Sequence, residues 1–335
     1  MLAYLGRRLL WAVVLLWIVT VITFVLSHVV PGNPALFLAG LGAPKSRVEA
    51  LTRQMGLNRP LPEQYWIYIR GLAHLDFGTS VRTGDPVGQD VAHFLPASLE
   101  LGGISFLVYV ILAIPLGTLA ASRQGRLVDG ILRIVSMAGS GVPVFWLAIL
   151  FQEFFFAHLG WLPFGGRIDI TASPPPHATG FYTIDSLLDG DFALFGSVVV
   201  HLILPVATIV LAMLAVGLRA TRASVLDELR SPYVRTARAK GVSEPRLYTV
   251  HVLRNALNPV ISIMGIQAGY LLGWIVLVET VFQWPGIGYY TFESIQALDY
   301  APIMALTLIG SFTFIVVNLI SDLLYPLLDP RMRTA

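Results

Sequence analysis

The sequence predicts an all-α integral membrane protein with six transmembrane helices, an extracytoplasmic cap after the first, and a cytoplasmic loop carrying a short capped helix between the fourth and the fifth. Three observations lead there. The 335 residues are 56% hydrophobic and 13% charged, a balance that suits a chain dissolved in lipid rather than a water-soluble domain. Six apolar runs approach the ~20 residues needed to cross a ~30 Å hydrocarbon core. The basic residues gather on alternate sides of those runs, as the positive-inside rule requires.

In order, the runs lie at about Leu9–Val30, Leu99–Ala121, Ile131–Ala157, Ser197–Leu218, Val260–Val281 and Pro302–Tyr325. The first reads as a retained anchor, because it is longer than a signal-peptide core and no small-x-small cleavage site follows before His28-Val29-Val30-Pro31. Arg7 and Arg8 precede it; Arg123, Arg126 and Arg133 mark the turn between the second and third runs; eight basic residues lie between Arg219 and Arg254; Arg331 and Arg333 follow the last. The opposite side carries Arg167 and six basic residues spread through 31–98, a segment long enough to be translocated regardless of charge. Both termini and the loop 219–259 are therefore expected in the cytoplasm. The chain divides into a cytoplasmic N-terminus with the first span (1–30), an extracytoplasmic cap (31–98), a transmembrane domain (99–325) and a cytoplasmic tail (326–335).

The two outer segments differ in character. Residues 31–98 mix turn motifs with short apolar stretches, and Gln64–Leu72 has the pattern of an interfacial helix anchored by Tyr65, Trp66, Tyr68 and Ile69. Residues 158–196 hold the stiff spacer Pro174-Pro175-Pro176 and then Asp185, Asp189 and Asp191.

Most bond-making chemistry is excluded. With no cysteine, disulfides, thiol catalysis and thiolate metal sites are ruled out. The two lysines sit in Pro44-Lys45-Ser46 and Ala239-Lys240-Gly241, so no phosphate-cradling Gly-Lys-Ser/Thr loop exists, and any ATP must be bound by another chain. No G-x-S-x-G nucleophile elbow is present, and the seven histidines are scattered without metal-ligand spacing. Four ionisable groups fall at or inside the spans: Glu153, His201, Glu279 and Asp322. Such groups are costly in lipid and mark pathways or gates. Two readings stand for the first three: hydration near the outer interface, or contact with a substrate. Asp322, one turn from Asn318, suits a helix–helix hydrogen bond. Gly265, Gly269 and Gly273 form an i, i+4, i+8 stripe, either tight packing or a sliding surface.

The loop 219–259 carries helix punctuation. Ser231-Pro232 is an N-cap and first-turn pair, Gly241 suits the left-handed residue that ends a helix, and Ser243-Glu244-Pro245 offers a second start. A helix of about nine residues, Pro232–Lys240, is predicted, too short to be stable alone.

Ser231-Pro232-Tyr233-Val234-Arg235-Thr236-Ala237-Arg238-Ala239-Lys240-Gly241, followed by Leu253-Arg254-Asn255-Ala256-Leu257-Asn258-Pro259, resembles the cytoplasmic loop of importer-type ABC transporter permeases, in particular the dipeptide/oligopeptide/nickel group. Leu5-Gly6-Arg7-Arg8-Leu9, Val30-Pro31-Gly32-Asn33-Pro34, Leu75-Asp76-Phe77-Gly78-Thr79-Ser80, Glu279 through Gly288 and Leu328-Asp329-Pro330-Arg331 are similar to that group as well. One departure is plain: the Glu-Ala-Ala of permeases generally aligns with Arg235-Thr236-Ala237, so the contact made by that glutamate is not carried over.

The resemblance implies the permease subunit of an ATP-driven importer of dipeptides or short oligopeptides in the bacterial inner membrane, and not an enzyme. Its expected partners are a second homologous permease chain, two cytosolic ATPase subunits that hold ATP and Mg, an extracytoplasmic binding protein and membrane lipid, with no nucleic acid and no cofactor in this chain. The helix of Ser231–Gly241 is expected to couple to an ATPase, gripped through Tyr233, Val234 and Ala237 with charge from Arg235, Arg238 and Lys240. A plain basic loop touching head groups is the alternative, which the helix caps and alanines disfavour. Competing functions are the same machine importing nickel or glutathione, a membrane-embedded enzyme using Glu153, His201 or Asp322, and a stand-alone channel or carrier.

Overall fold

A computed structural model describes residues 2–29, 35, 39–40, 42–54 and 56–328; toward both ends only the backbone is described at some positions. Its helices, in chain order, are α1 (Leu2–Val29), α2 (Lys45–Gln54), α3 (Leu61–Ala73), α4 (Val87–Ser122), α5 (Leu127–Gly141), α6 (Val144–Phe151), α7 (Tyr182–Leu188), α8 (Phe192–Leu229), α9 (Pro232–Ala239), α10 (Glu244–Arg246), α11 (Leu253–Val281), α12 (Ile287–Gln296) and α13 (Tyr300–Leu328). Two π-helical stretches, Gln152–His158 and Leu247–Val252, continue α6 and join α10 to α11. Among the described residues there is no named strand, only one isolated bridge between Thr79 and Pro86.

Among the described residues, four helices are long and apolar enough to cross a membrane: Val87–Ser122, Phe192–Leu229, Glu244–Val281 and Tyr300–Val317. The runs expected first and third correspond to shorter apolar stretches, Leu10–Leu26 and Val144–His158. The third expected span, Ile131–Ala157, is not one helix. It breaks where Val142 (φ −109°, ψ 128°) and Pro143 (φ −59°, ψ 138°) are extended. A residue before proline is pushed out of the α region, and proline has no N–H to continue the ladder.

Residues 1–96 with 285–315 form one compact unit, and 97–284 with 316–335 a second. In the first, α3 covers the expected interfacial helix. Tyr65 meets α1 through a 2.9 Å hydrogen bond between its hydroxyl and that of Thr20, and through an edge contact with Phe24. The motif Leu75–Ser80 is a turn: Asp76 accepts from the Gly78 N–H, with Gly78 at φ +83°. Ser80 Oγ then donates to buried Asp299 (2.7 Å), and buried Asp90 accepts from Tyr290 OH (2.5 Å) and Thr83 Oγ1 (2.7 Å).

The second unit is built around α8. Its side chains from Val198 to Leu214 supply the largest share of the apolar core, joined by Leu101, Tyr109 and Ala113 of α4 and by Met264, Leu271, Ile275 and Val278 of α11. Asp191 caps α8 by accepting the Leu194 N–H at 2.8 Å. Close approach depends on Gly217, where an added Cβ would lie 2.4 Å from the Tyr109 hydroxyl. The glycine stripe on α11 is not a continuous seam inside the chain, since Gly269 is buried but Gly273 is exposed with no atom within 4 Å of a Cβ placed there.

Candidate functional site

The chain from 219 to 259 forms a compact elbow. α8 runs on to Leu229, α9 follows at Pro232, and the chain turns at Gly241 into α10. The turn is a Schellman motif: Gly241 N–H donates to Arg238 O (2.9 Å), Val242 N–H donates to Ala237 O (3.2 Å), and Gly241 has φ +79°. Arg238 spans the turn as a fork onto Glu244, with Nε–Oε1 of 2.8 Å and Nη2–Oε2 of 3.1 Å. Ser231 and Ser243 occupy the expected N-cap positions, but neither side chain caps; the Ser231 hydroxyl turns toward Glu228 instead.

Of the three residues expected to grip a partner, Val234 and Ala237 turn inward and Tyr233 stays outward. Val234 is 0% exposed and packs with Val225 of α8, Leu247, Val252 and Ala256, with Ala237 against the same cluster. These apolar side chains hold α9 to its own chain, which is how so short a helix is stabilised. Outward are Pro232, Tyr233, Arg235, Thr236, Arg238, Ala239 and Lys240. Tyr233, on the edge, donates to Glu228 Oε2 at 2.6 Å. A further tie joins α8 to α11: Ser224 Oγ donates to Ala256 O at 2.7 Å.

Next to this elbow, Asp129 at the start of α5 is buried and receives a bidentate pair from Arg222 (2.7 and 2.9 Å) and the Gly125 N–H (3.0 Å). The Arg222 hydrogen bonds hold the Asp129 carboxyl down at about 2.

The other ionisable residues separate. Glu153 is 63% exposed beside His158, so hydration describes it well. It does not describe His201 or Glu279. His201 is 5% exposed, with Nδ1 against Ser197 O (2.8 Å). Glu279 is 0% exposed and accepts from Ser98 Oγ at 2.5 Å. Both lie inside the packing, where a polar partner substitutes for water: Ser98 on α4 for Glu279 of α11, and a carbonyl one turn earlier on α8 for His201. Asp322 lies on the last turns of α13, and its side chain is outside the described residues.

The sequence reading overlooked Glu100. It lies well within α4, at the start of the expected second span, buried, and pairs with the buried Arg167 Nη2. Its other oxygen accepts from Thr183 N and Oγ1, both at 2.7 Å. Arg167 also donates to Gly180 O (2.9 Å), and its guanidinium lies 3.5 Å from the Tyr182 ring centre. Burial pushes Asp185 up, but hydrogen bonds from Thr179 and Gly180 outweigh it and hold the carboxyl below its ordinary value. The segment 158–190 is thus strapped to α4 by charge. Trp284 adds a parallel tie, its Nε1 donating to Ala97 O at 2.9 Å. The signal available was a lone Arg167 in an outer loop and a Glu at a span end, but 67 residues separate them.

Residues 113–334 match the family model described as binding-protein-dependent transport system inner membrane component, and residues 1–101 match its N-terminal companion. The chain belongs to that family. It is 42% identical over 327 residues, 97% of this chain and 96% of the other, to the probable D,D-dipeptide transport system permease protein DdpB of Escherichia coli K12. It is 39% identical to the dipeptide transport system permease protein DppB of Alkalihalophilus pseudofirmus, covering 99% of this chain and all of that one. The glutathione transport system permease protein GsiC of Escherichia coli K12 is 37% identical, with 99% of each chain covered. A chain of the inward-facing MetNI methionine ABC transporter shares the fold, with TM-score 0.51 and 14% identity over 71% of this chain and 96% of that one.

Proposed function

We propose that this chain is the permease subunit of an ATP-driven importer for dipeptides or short oligopeptides, forming half of the translocation pathway beside a second homologous chain. The observation that carries this reading is the identity of about two residues in five with permeases of dipeptide systems over nearly the whole length. An extracytoplasmic binding protein delivers the peptide, and two cytosolic ATPase subunits supply the work. α9 is their docking element, presenting Tyr233, Arg235, Thr236, Ala239 and Lys240. In this reading the six-span topology has both termini and the elbow in the cytoplasm.

The packing supports a route for the motion. A push on α9 acts through Val234 on Val225 of α8 and on Val252 and Ala256 where the chain enters α11. The spans then alternate between outward and inward openings that peptide and nucleotide each bias. Glu279 and His201, buried among the helices that would move, are the gating candidates; Glu153, exposed, is the weaker one.

Reconstitution with the neighbouring gene products tests the reading. ATPase activity stimulated by binding protein loaded with dipeptide is the expected result. Stimulation only by nickel-loaded or sugar-loaded protein would end the peptide assignment, and stimulation by glutathione alone would narrow it to that tripeptide.

A further inference from the structure

Between the end of α4 and the stretch 244–253 lies an open cleft of about 640 Å³. One wall is Ile114, Pro115 and Leu119; the rim is Arg123 and Arg126; Tyr248 and Leu253 face them from the other side. Three features specify what it holds. First, the apolar wall continues up the helix as an exposed stripe, Leu107, Ile111, Pro115 and Leu119, at four-residue spacing along the run expected to cross the bilayer. Second, Arg123 and Arg126 are exposed just beyond the last apolar turn, and among the described residues neither has an ion pair, while the acidic rim residue Glu244 is already taken by Arg238. Third, Tyr248 brings an aromatic side chain with a polar tip to the lining, while the Ser122 and Thr249 hydroxyls beside it donate to the Leu119 and Pro245 carbonyls.

Apolar below and unpaired cationic at the mouth, with an amphipathic tyrosine alongside, is the chemistry that suits a charged lipid. The geometry points to a binding site for one anionic phospholipid, its phosphodiester held by Arg123 and Arg126 and an acyl chain laid along Leu119, Ile111 and Leu107. A zwitterionic head group brings its own cation to the two arginines and is disfavoured, whereas the phosphate of an anionic lipid pairs with both. A soluble phosphate would use the rim but leave the stripe bare. Because the facing wall is the base of the α9 elbow, an occupant braces the element through which ATPase motion would pass. The site needs only that α4 leave the bilayer at Arg123, so it stands whatever the cargo is.

The test is native mass spectrometry of the purified transporter complex titrated with phosphatidylglycerol, phosphatidylcholine or inorganic phosphate. One phosphatidylglycerol per permease chain should be retained where phosphatidylcholine is lost, and inorganic phosphate should not displace it. Arg123→Gln with Arg126→Gln should weaken retention by roughly thirty-fold, from about fivefold per arginine, and Arg123→Lys with Arg126→Lys should restore most of it. Equal retention of the two lipids, no effect of the glutamine pair, or displacement by inorganic phosphate would each overturn the proposal. So would cross-links from Arg123→Cys that run to an ATPase subunit while phosphatidylglycerol retention is unaffected by the glutamine pair.

Discussion

If α9 is held by one buried valine and one left-handed glycine, loosening either should open it locally without unfolding the bundle. Val234→Ala removes two methyl groups from a site with no exposure, a loss of about 2 kcal/mol including the partly collapsed cavity. Gly241→Ala meets no neighbouring atom, so its cost is backbone alone: about 1–2 kcal/mol for placing a Cβ at φ +79°. A helix this short has almost no reserve of its own, so these amounts fall directly on its local opening. Amide exchange over residues 236–242 in lipid nanodiscs should accelerate about thirty-fold in Val234→Ala and about tenfold in Gly241→Ala, since 1.4 kcal/mol is a factor of ten. Gly241→Asn should be milder, because asparagine tolerates the left-handed region. Exchange in α8 above Leu218 should not change. Unaltered exchange at 236–242 in Val234→Ala would refute the claim that α9 is anchored by its own chain, and would restore the idea that its apolar face waits for a partner.

Other outcomes follow from the same contacts. Ala239→Trp, on the outward face, should detach the ATPase subunits or uncouple uptake from hydrolysis while leaving 236–242 exchange unchanged; normal complex yield and uptake would sink the docking assignment. Arg167→Met strands the Glu100 carboxylate in a buried site and should lower stability by about 3–5 kcal/mol, whereas Arg167→Met with Glu100→Leu should recover most of it, read as thermal unfolding in detergent. Asp129 has a folded value depressed to about 2, so its contribution is fully present above the ordinary carboxylate range near 4 and is lost as pH falls through about 2. Wild-type stability should therefore hold from pH 7 to about 4 at this site, and Asp129→Asn should show its deficit at pH 7 but not near pH 2; a deficit that persists at low pH would mean the loss is one of packing.

Local signals were the legible ones. Apolar length marked where helices lie, and Ser-Pro before and Gly after marked the ends of α9 to within a residue. What sequence could not supply was the facing of each element. Val234 and Ala237 form the one apolar strip on a polar helix, and nothing local says whether the strip meets a partner or the chain itself. Glu279 and His201 have the same difficulty: depth along a span was readable, but burial depends on Ser98 and Ser197, the first of them 181 residues distant from Glu279. The break at Val142-Pro143 was readable in principle, since proline restricts its predecessor, yet the stretch from 131 to 157 is apolar enough on average to read as one span. Neither π-helical stretch has a pattern that distinguishes it from an ordinary turn of helix.

The fork from Arg238 to Glu244 has a mechanical meaning. With two backbone hydrogen bonds and an ion pair closing the turn at Gly241, the corner between α9 and α10 is the stiff part of the linkage. The next segment, Leu247–Val252, is wound in the wider i→i+5 pattern, whose bonds are less favourable and whose register is easier to change. Any change of register would therefore fall past the corner, in a stretch whose ends, Leu247 and Val252, are themselves gripped by the cluster around Val234.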